Sequence, residues 1–272
     1  MGRTERGDET AVNGRMTWHS VSSVREYRRC PRRYRFGYRD RRPQDRPVPV
    51  SWRFGSLIHA GLEAGYRQRL ADPRSSRSDV LAHVNEALDD AWESLELGDD
   101  ADPATLDRAR WVVGRALVRD VIGADHILDV EVALRGTVND QEQIIGFADL
   151  VLAHGDAAIE IVDHKITRRH TTPDTLREDL QLNLYGQLAR TRWPWASRVA
   201  VTHHYPLDPT AVSTVLDEHT MTAALDYIHE VAAQIRTDDR FLPQPGDHCD
   251  HCPWLPSCAD GVEWSATYGS KP

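Results

Sequence analysis

Residues 146–165 read GFADLVLAHGDAAIEIVDHK. Two apolar runs flank the turn-forming triplet His154-Gly155-Asp156, so Ile144 to Leu152 and Ala158 to Ile166 are expected as consecutive strands. Each strand carries a carboxylate near one end: Asp149 in Gly146-Phe-Ala-Asp149, and Asp163 in Asp163-His-Lys165. Side chains two apart on a strand share a face, so Asp163 and the Lys165 ammonium belong to one site if Asp149 lies opposite. Oxygen donors of this kind suit Mg2+ or Mn2+, and a neighbouring lysine can orient a water, or help deprotonate it, for attack on a phosphate. D-x-K is a short pattern, and from its spacing alone a surface ion pair is the commoner meaning.

On the N-terminal side, Val130, Val132 and Leu134 alternate with other residues up to an Asn139-Asp140 turn, which adds a third strand. Further upstream, Phe54 to Leu70 places Leu57, Ile58, Leu62 and Tyr66 near helical spacing, and helices are expected at about 78–97 and 104–122. Ser23-Val-Arg-Glu26 resembles a capping box for a short helix toward Cys30, with Pro31 interrupting or restarting it. On the C-terminal side the pattern predicts one helix from Asp174 to Arg192, strands at Arg198–Pro206 and Ala211–Leu216, and a helix over 219–236. This order gives an α/β fold, a mixed sheet flanked by helices, with the two chain ends forming a separate lobe. The expected parts are a disordered tail at 1–16, the first half of the lobe at 17–50 and a helical region at 51–125. A core follows at 126–237, then the second half of the lobe at 238–261 and a loose tail at 262–272.

No apolar run approaches the roughly 18 residues that span a bilayer, and the start MGRTERGDET lacks a signal peptide's hydrophobic stretch. A reducing, cytoplasmic location is expected. The net charge of -9 argues against wholesale nucleic-acid binding, but it conceals a segregation. Arg25 to Arg46 holds ten arginines, whereas Asp79 to Asp107 holds ten carboxylates and no Lys or Arg. A local basic face, including Arg28, Arg32, Arg33 and Arg35, is what contacts phosphates, so a DNA partner stays open beside a plain solvated face. Tyr34, Phe36 and Tyr38 are interleaved with these arginines, as base-stacking platforms or as core. No G-x-x-x-x-G-K-[ST] loop is present, so ATP is not expected as a ligand.

The four cysteines are Cys30 and the C-x2-C-x5-C trio Cys249, Cys252 and Cys258, with 218 residues between the first and the trio. A metal centre uses all four thiolates at once, whereas pairing as disulfides gives no reason for that spacing. Zinc and an iron-sulfur cluster both satisfy four thiolates. Either ties the ends together and restricts the unfolded chain by about 5 kcal/mol in the chain-entropy model.

Two further motifs lie in order along the chain: Gly55-Ser-Leu-Ile-His59, where a glycine that allows close backbone approach stands one turn from an imidazole, and Gln181-Leu-Asn-Leu-Tyr185, with two polar side chains on one helix face. G-x-x-x-H at 55–59, G-x-x-D at 146–149, D-x-K at 163–165 and Q-x-x-x-Y at 181–185 resemble the ordered motifs of RecB-family nucleases in the PD-(D/E)XK superfamily. One Cys before this core and C-x2-C-x5-C after it are similar to the iron-sulfur subgroup, which includes AddB-type nuclease domains and CRISPR-associated RecB-like exonucleases. The resemblance runs from about 17 to 261.

It implies a restriction-endonuclease-like core with an iron-sulfur lobe. His59, Asp149, Asp163 and the backbone carbonyl of His164 would hold Mg2+ or Mn2+. Lys165 would position the attacking water, Gln181 and Tyr185 would orient DNA and the active-site strands, and the cysteines would hold a 4Fe-4S cluster, with zinc as the alternative. Asp163 stands where many superfamily members have Glu, a ligand shorter by one methylene. Glu131, on the preceding strand, is either an outer neighbour of the metal or, more in keeping with strand alternation, a solvent-facing carboxylate. The implied activity is exonucleolytic hydrolysis of single-stranded DNA or DNA ends, with 5'-to-3' polarity, beside CRISPR adaptation, recombination or repair proteins. The alternative is a non-catalytic iron-sulfur or zinc subunit of a DNA-processing complex, against which the intact Asp149, Asp163 and Lys165 argue.

Overall fold

In the computed structural model, which describes residues 16–46, 50–95, 102–119 and 127–269, the stretch 146–165 forms the expected hairpin. Strands β3 (Glu142–His154) and β4 (Ala158–His164) run antiparallel, with Leu150 opposite Val162 and His154 opposite Ala158. The reversal passes through Gly155 at φ +64°, a left-handed conformation that glycine adopts without a Cβ clash. Strand β2 (Ile127–Asn139) precedes them, buries Val130, Val132 and Leu134, and pairs with β3. Strand β5 (Arg198–Tyr205) lies parallel to β4, and β6 (Thr210–Val215) antiparallel to β5. A strand of only three residues, β1 (Thr17–His19), runs parallel to the start of β3 and is too short for sequence periodicity to announce it. The sheet is mixed, in the order β1-β3-β4-β5-β6 with β2 on β3.

The chain divides into two compact units. One comprises residues 48–134 and 147–224. Its helices α3 (Val50–Ala71), α4 (Arg77–Ser94) and α5 (Pro103–Arg119) share a core with the sheet: Leu57, Ile58 and Leu62 of α3, Val84 and Leu88 of α4, and Val112 and Val113 of α5 pack with Leu150, Leu152 and Val162. Each such side chain stabilises the fold by about 1.5–3 kcal/mol through burial. Helices α3 and α5 approach closely because α3 carries Gly65, where a Cβ would stand 2.4 Å from Leu117 Cδ1.

The single helix expected from Asp174 to Arg192 is in fact two, α6 (Pro173–Arg177) and α7 (Leu180–Arg192). The side chain of Asp179 accepts from Leu182 N at 3.0 Å and so caps a new helix. Asn183 Nδ2 donates to the carbonyls of Arg177 at 2.7 Å and Asp179 at 3.0 Å, which ties the end of one helix to the start of the next across the break.

The other unit comprises residues 1–47, 135–146 and 225–272. Helix α1 (Val21–Arg29) starts earlier than Ser23-x-x-Glu26 suggested. Its cap is Ser20, whose Oγ accepts from Ser23 N while Ser23 Oγ accepts from Ser20 N. Pro31 restarts the chain as the first residue of α2 (Pro31–Tyr34), which widens into a π-type turn over Arg35–Arg39. Tyr34 and Phe36 are buried, and Tyr34 stacks at 6.0 Å on Phe241 beyond α8 (Glu218–Thr237), so core packing accounts for both. The loose tail expected from residue 262 is instead helical, within α9 (Ala259–Tyr268).

Residues 1–15 of the expected disordered tail, Pro47–Pro49 of the linker, 96–97 and 120–122 of two expected helix ends, and 270–272 lie outside the described residues. No helix among the described residues is long and apolar enough to cross a membrane.

Candidate active site

The antiparallel register of β3 and β4, continued one pair past Leu150 and Val162, sets Asp149 beside Asp163. Asp149 Oδ2 accepts the amide N–H of His164 at 2.7 Å and lies 3.7 Å from Nδ1 of His59, which α3 brings over the sheet end. Asp163 Oδ2 is 2.7 Å from Lys165 Nζ, and its Oδ1 accepts from Gln181 Nε2 at 3.0 Å. Tyr185, one turn further along α7, accepts the amide N–H of Phe147 on its hydroxyl at 3.3 Å. Thus His59, Asp149, Asp163, Lys165, Gln181 and Tyr185 converge on one sheet end. Gly55 does not serve a close approach: a Cβ there would meet only Ile166 Cγ1, at 3.9 Å.

Glu131 departs from the solvent-facing reading. It sits mid-strand at φ +50°, a left-handed conformation uncommon for a residue with a Cβ. Its carboxylate, Asp149 and the His59 imidazole offer ligand atoms that all lie within 4.8 Å of one another. Among the described residues this is the one His/Cys/Asp/Glu group of three or more so close together. Asp163 lies outside that trio but close enough to act on it electrostatically.

Burial, then the neighbouring Asp163, pushes the Asp149 carboxyl up to about 7. Burial, then Asp149, does the same to Glu131, also to about 7. Burial depresses the His59 imidazole. Buried carboxylates crowded in this way resist ionising together, and a cation among them would relieve both burdens.

Beneath the site lies a layer that the sequence did not announce. The His164 ring stacks on Tyr66 at 5.7 Å, and its Nδ1 is 3.0 Å from Nδ1 of His204, its partner across the β4–β5 register. His204 also accepts the Lys165 amide N–H on its carbonyl at 2.8 Å, which fixes the backbone of the lysine. His203, opposite Asp163, brings Nε2 to 3.9 Å from Asp163 Oδ2. The one signal in the sequence was a His-His pair in a strand next to D-x-K.

In the unit built from the chain ends, the four cysteines are free thiols lining one pocket. Amide N–H groups of Gln244 and Gly246 donate to the sulfurs of Cys30 and Cys249, each at 3.5 Å. No three of the four sulfurs lie within 4.8 Å of one another. Arg28 donates to Gln234 at 3.2 Å, Arg32 pairs with Asp260 at 2.8 Å, Arg33 with Glu26, and Arg35 with Asp40 at 3.2 Å. The basic segment is therefore largely matched by protein partners.

A family model described as the PD-(D/E)XK nuclease superfamily matches residues 19–259. A crystal structure of a candidate exonuclease from Eubacterium rectale is similar over 90% of this chain and 98% of that chain, with a TM-score of 0.54 at 13% identity. A looser likeness, TM-score 0.32 at 13% identity, joins 69% of this chain to 93% of LHK-Exo, solved in complex with dAMP. Among curated proteins there is no match.

Proposed function

The chain belongs to the PD-(D/E)XK nuclease superfamily, and from that premise we propose that it is a divalent-metal-dependent exonuclease that hydrolyses DNA from free ends, single strands above all. The observation that carries this reading is the Lys165 ammonium 2.7 Å from Asp163, beside the close trio of His59, Glu131 and Asp149. An imidazole nitrogen with several carboxylate oxygens suits Mn2+ or Mg2+. His59, Asp149, Asp163 and the His164 carbonyl would hold the ion, with Glu131 as a further oxygen donor. When bound, it supplies positive charge against the non-bridging phosphate oxygens and acidifies a nearby water.

The protein's own groups do the positioning. Lys165 orients the attacking water and adds positive charge where negative charge develops on phosphorus-bound oxygen. Gln181 holds Asp163 from the side away from the lysine, and Tyr185 fixes the backbone of β3 two residues before Asp149. Arg28, Arg32, Arg33 and Arg35 enter as weaker phosphate contacts, since each already has a protein partner.

For the cysteines the reading is a 4Fe-4S cluster in preference to zinc. What supports it is the likeness of Cys30 and the C-x2-C-x5-C trio to the iron-sulfur subgroup, together with the backbone N–H···S contacts on Cys30 and Cys249, of the kind that support cluster ligands. Protein purified without oxygen is expected to be brown. A colourless protein holding one zinc excludes the cluster.

End-labelled single- and double-stranded DNA incubated with Mg2+ or Mn2+ tests the activity. Wild type should shorten the strands progressively, and Asp149→Ala and Lys165→Ala should each slow this by about 100-fold or more. Equal degradation by all three rejects the site.

A further inference from the structure

Two features of the sheet end have no part in the site described above. The first is Phe147, a large apolar side chain left 42% exposed. It lies two residues before Asp149, on the same face of β3. Its neighbours at 146 and 148 are buried, so the exposed ring is the outward member of an otherwise alternating strand. Its amide is held by the Tyr185 hydroxyl, which fixes where the ring departs from the backbone.

The second is the loop that follows Lys165, Ile166-Thr-Arg-Arg-His170. Arg168 and Arg169 are exposed, and neither guanidinium has an ion pair or hydrogen bond among the described residues. That sets them apart from the matched arginines of the 25–46 segment. The loop is nonetheless held in place. Lys165 N donates to the His204 carbonyl and Thr171 N to the Tyr205 hydroxyl, each at 2.8 Å. Arg169 N donates to Thr167 Oγ1 at 3.1 Å, and the His170 ring lies 4.3 Å from that of Tyr205. Two cations without a partner among the described residues thus stand on a fixed loop, three and four residues beyond the lysine of the site.

A π face beside the reacting centre and free cations along the adjoining backbone are the two elements of a single-strand binding track. We propose that Phe147 stacks on the unpaired base next to the phosphate under attack, and that Arg168 and Arg169 hold the phosphates that follow it. Within an intact duplex the faces of each base are covered by its neighbours, so the ring accepts only a base freed from its partner strand. Phe147 is then the residue that turns the site toward single strands. This inference rests on the nuclease reading above.

The test measures binding and cleavage separately. Binding of fluorescent single-stranded and blunt duplex oligonucleotides is followed by anisotropy, with Ca2+ in place of Mg2+. Phe147→Leu keeps apolar bulk without a π face and should weaken single-strand binding by about 5- to 150-fold while leaving duplex binding unchanged; Phe147→Trp should retain it. The double variant Arg168→Ala/Arg169→Ala should weaken single-strand binding and lower the slope of log affinity against log salt by about 1.4, the value for two contacts on a single strand. In cleavage assays Phe147→Leu should raise KM with little change in kcat. One abasic position placed stepwise from the end should slow wild type at a single register and leave Phe147→Leu insensitive. Unchanged affinity and salt slope in the variants overturn the proposal, as does an equal loss on single strands and duplex. No cleavage by wild type with Mg2+ or Mn2+ refutes the nuclease reading instead, and the anisotropy result still decides whether the track binds DNA.

Discussion

At the scale of single residues, the site is a crowd of carboxylates made tolerable by what surrounds them. Glu131 shows the balance. Its pKa of about 7 lies above that of a free glutamate, so its burial weighs on the fold only once the group ionises. The sign follows: relative to the unfolded chain, the contribution is present below about pH 4.5 and lost as pH rises through about 7. Metal-free Glu131→Gln is therefore expected to be more stable than wild type at pH 8 by about 1–2 kcal/mol, allowing for solvent screening, with the difference vanishing below about pH 5. Denaturant melts at the two pH values check it. The same substitution should weaken Mn2+ binding by about 10- to 100-fold in calorimetry, because it removes an oxygen donor from the trio. Asp149, Asp163 and Lys165 were legible in the sequence because a strand fixes neighbours two apart on one face. Glu131 was not, because its left-handed backbone interrupts the alternation on which that reading depends.

Among the elements, the helices were located well and their ends less so. Periodicity placed α3, α4 and α5, but the break between α6 and α7 depends on Asp179 and Asn183 capturing backbone groups across it, which hydrophobic spacing does not report. The α3–α5 contact predicts a steric cost. Gly65→Ala should destabilise by about 1–3 kcal/mol in thermal or denaturant melts, since its Cβ would overlap Leu117. Strand β1 predicts a pH effect. His19 is fully buried, and burial depresses its imidazole further than the facing Glu142 raises it. With the folded pKa below 6.5, its stabilising share is present above about pH 6.5 and lost as pH falls through the lower folded value. Between pH 7 and 5, wild type should lose stability relative to His19→Gln, which does not titrate, in melts of the two proteins run side by side.

For the whole molecule, the long-range feature is the pocket that gathers Cys30 with Cys249, Cys252 and Cys258. If a metal centre fills it, Cys258→Ala should lower the melting temperature and leave 16–46 and 247–268 the first segments cut by protease, with a ceiling of about 5 kcal/mol from loop closure. Unchanged melting and an unchanged digest would show that the pocket is no staple. By itself the sequence determined the strand–turn–strand centre, the spacing of Asp149, Asp163 and Lys165, the helical placement of His59, Gln181 and Tyr185, and the grouping of the thiols. These follow from the local repeat of strand and helix and from side-chain chemistry. Only the tertiary structure decided that Glu131 turns toward His59 and Asp149, that His204 braces Lys165, and that the crowded arginines of 25–46 are matched by carboxylates and amides while Arg168 and Arg169 have no such partner among the described residues. The reason is physical: charge compensation and burial depend on groups brought together from distant parts of the chain, and no local repeat encodes which of them meet.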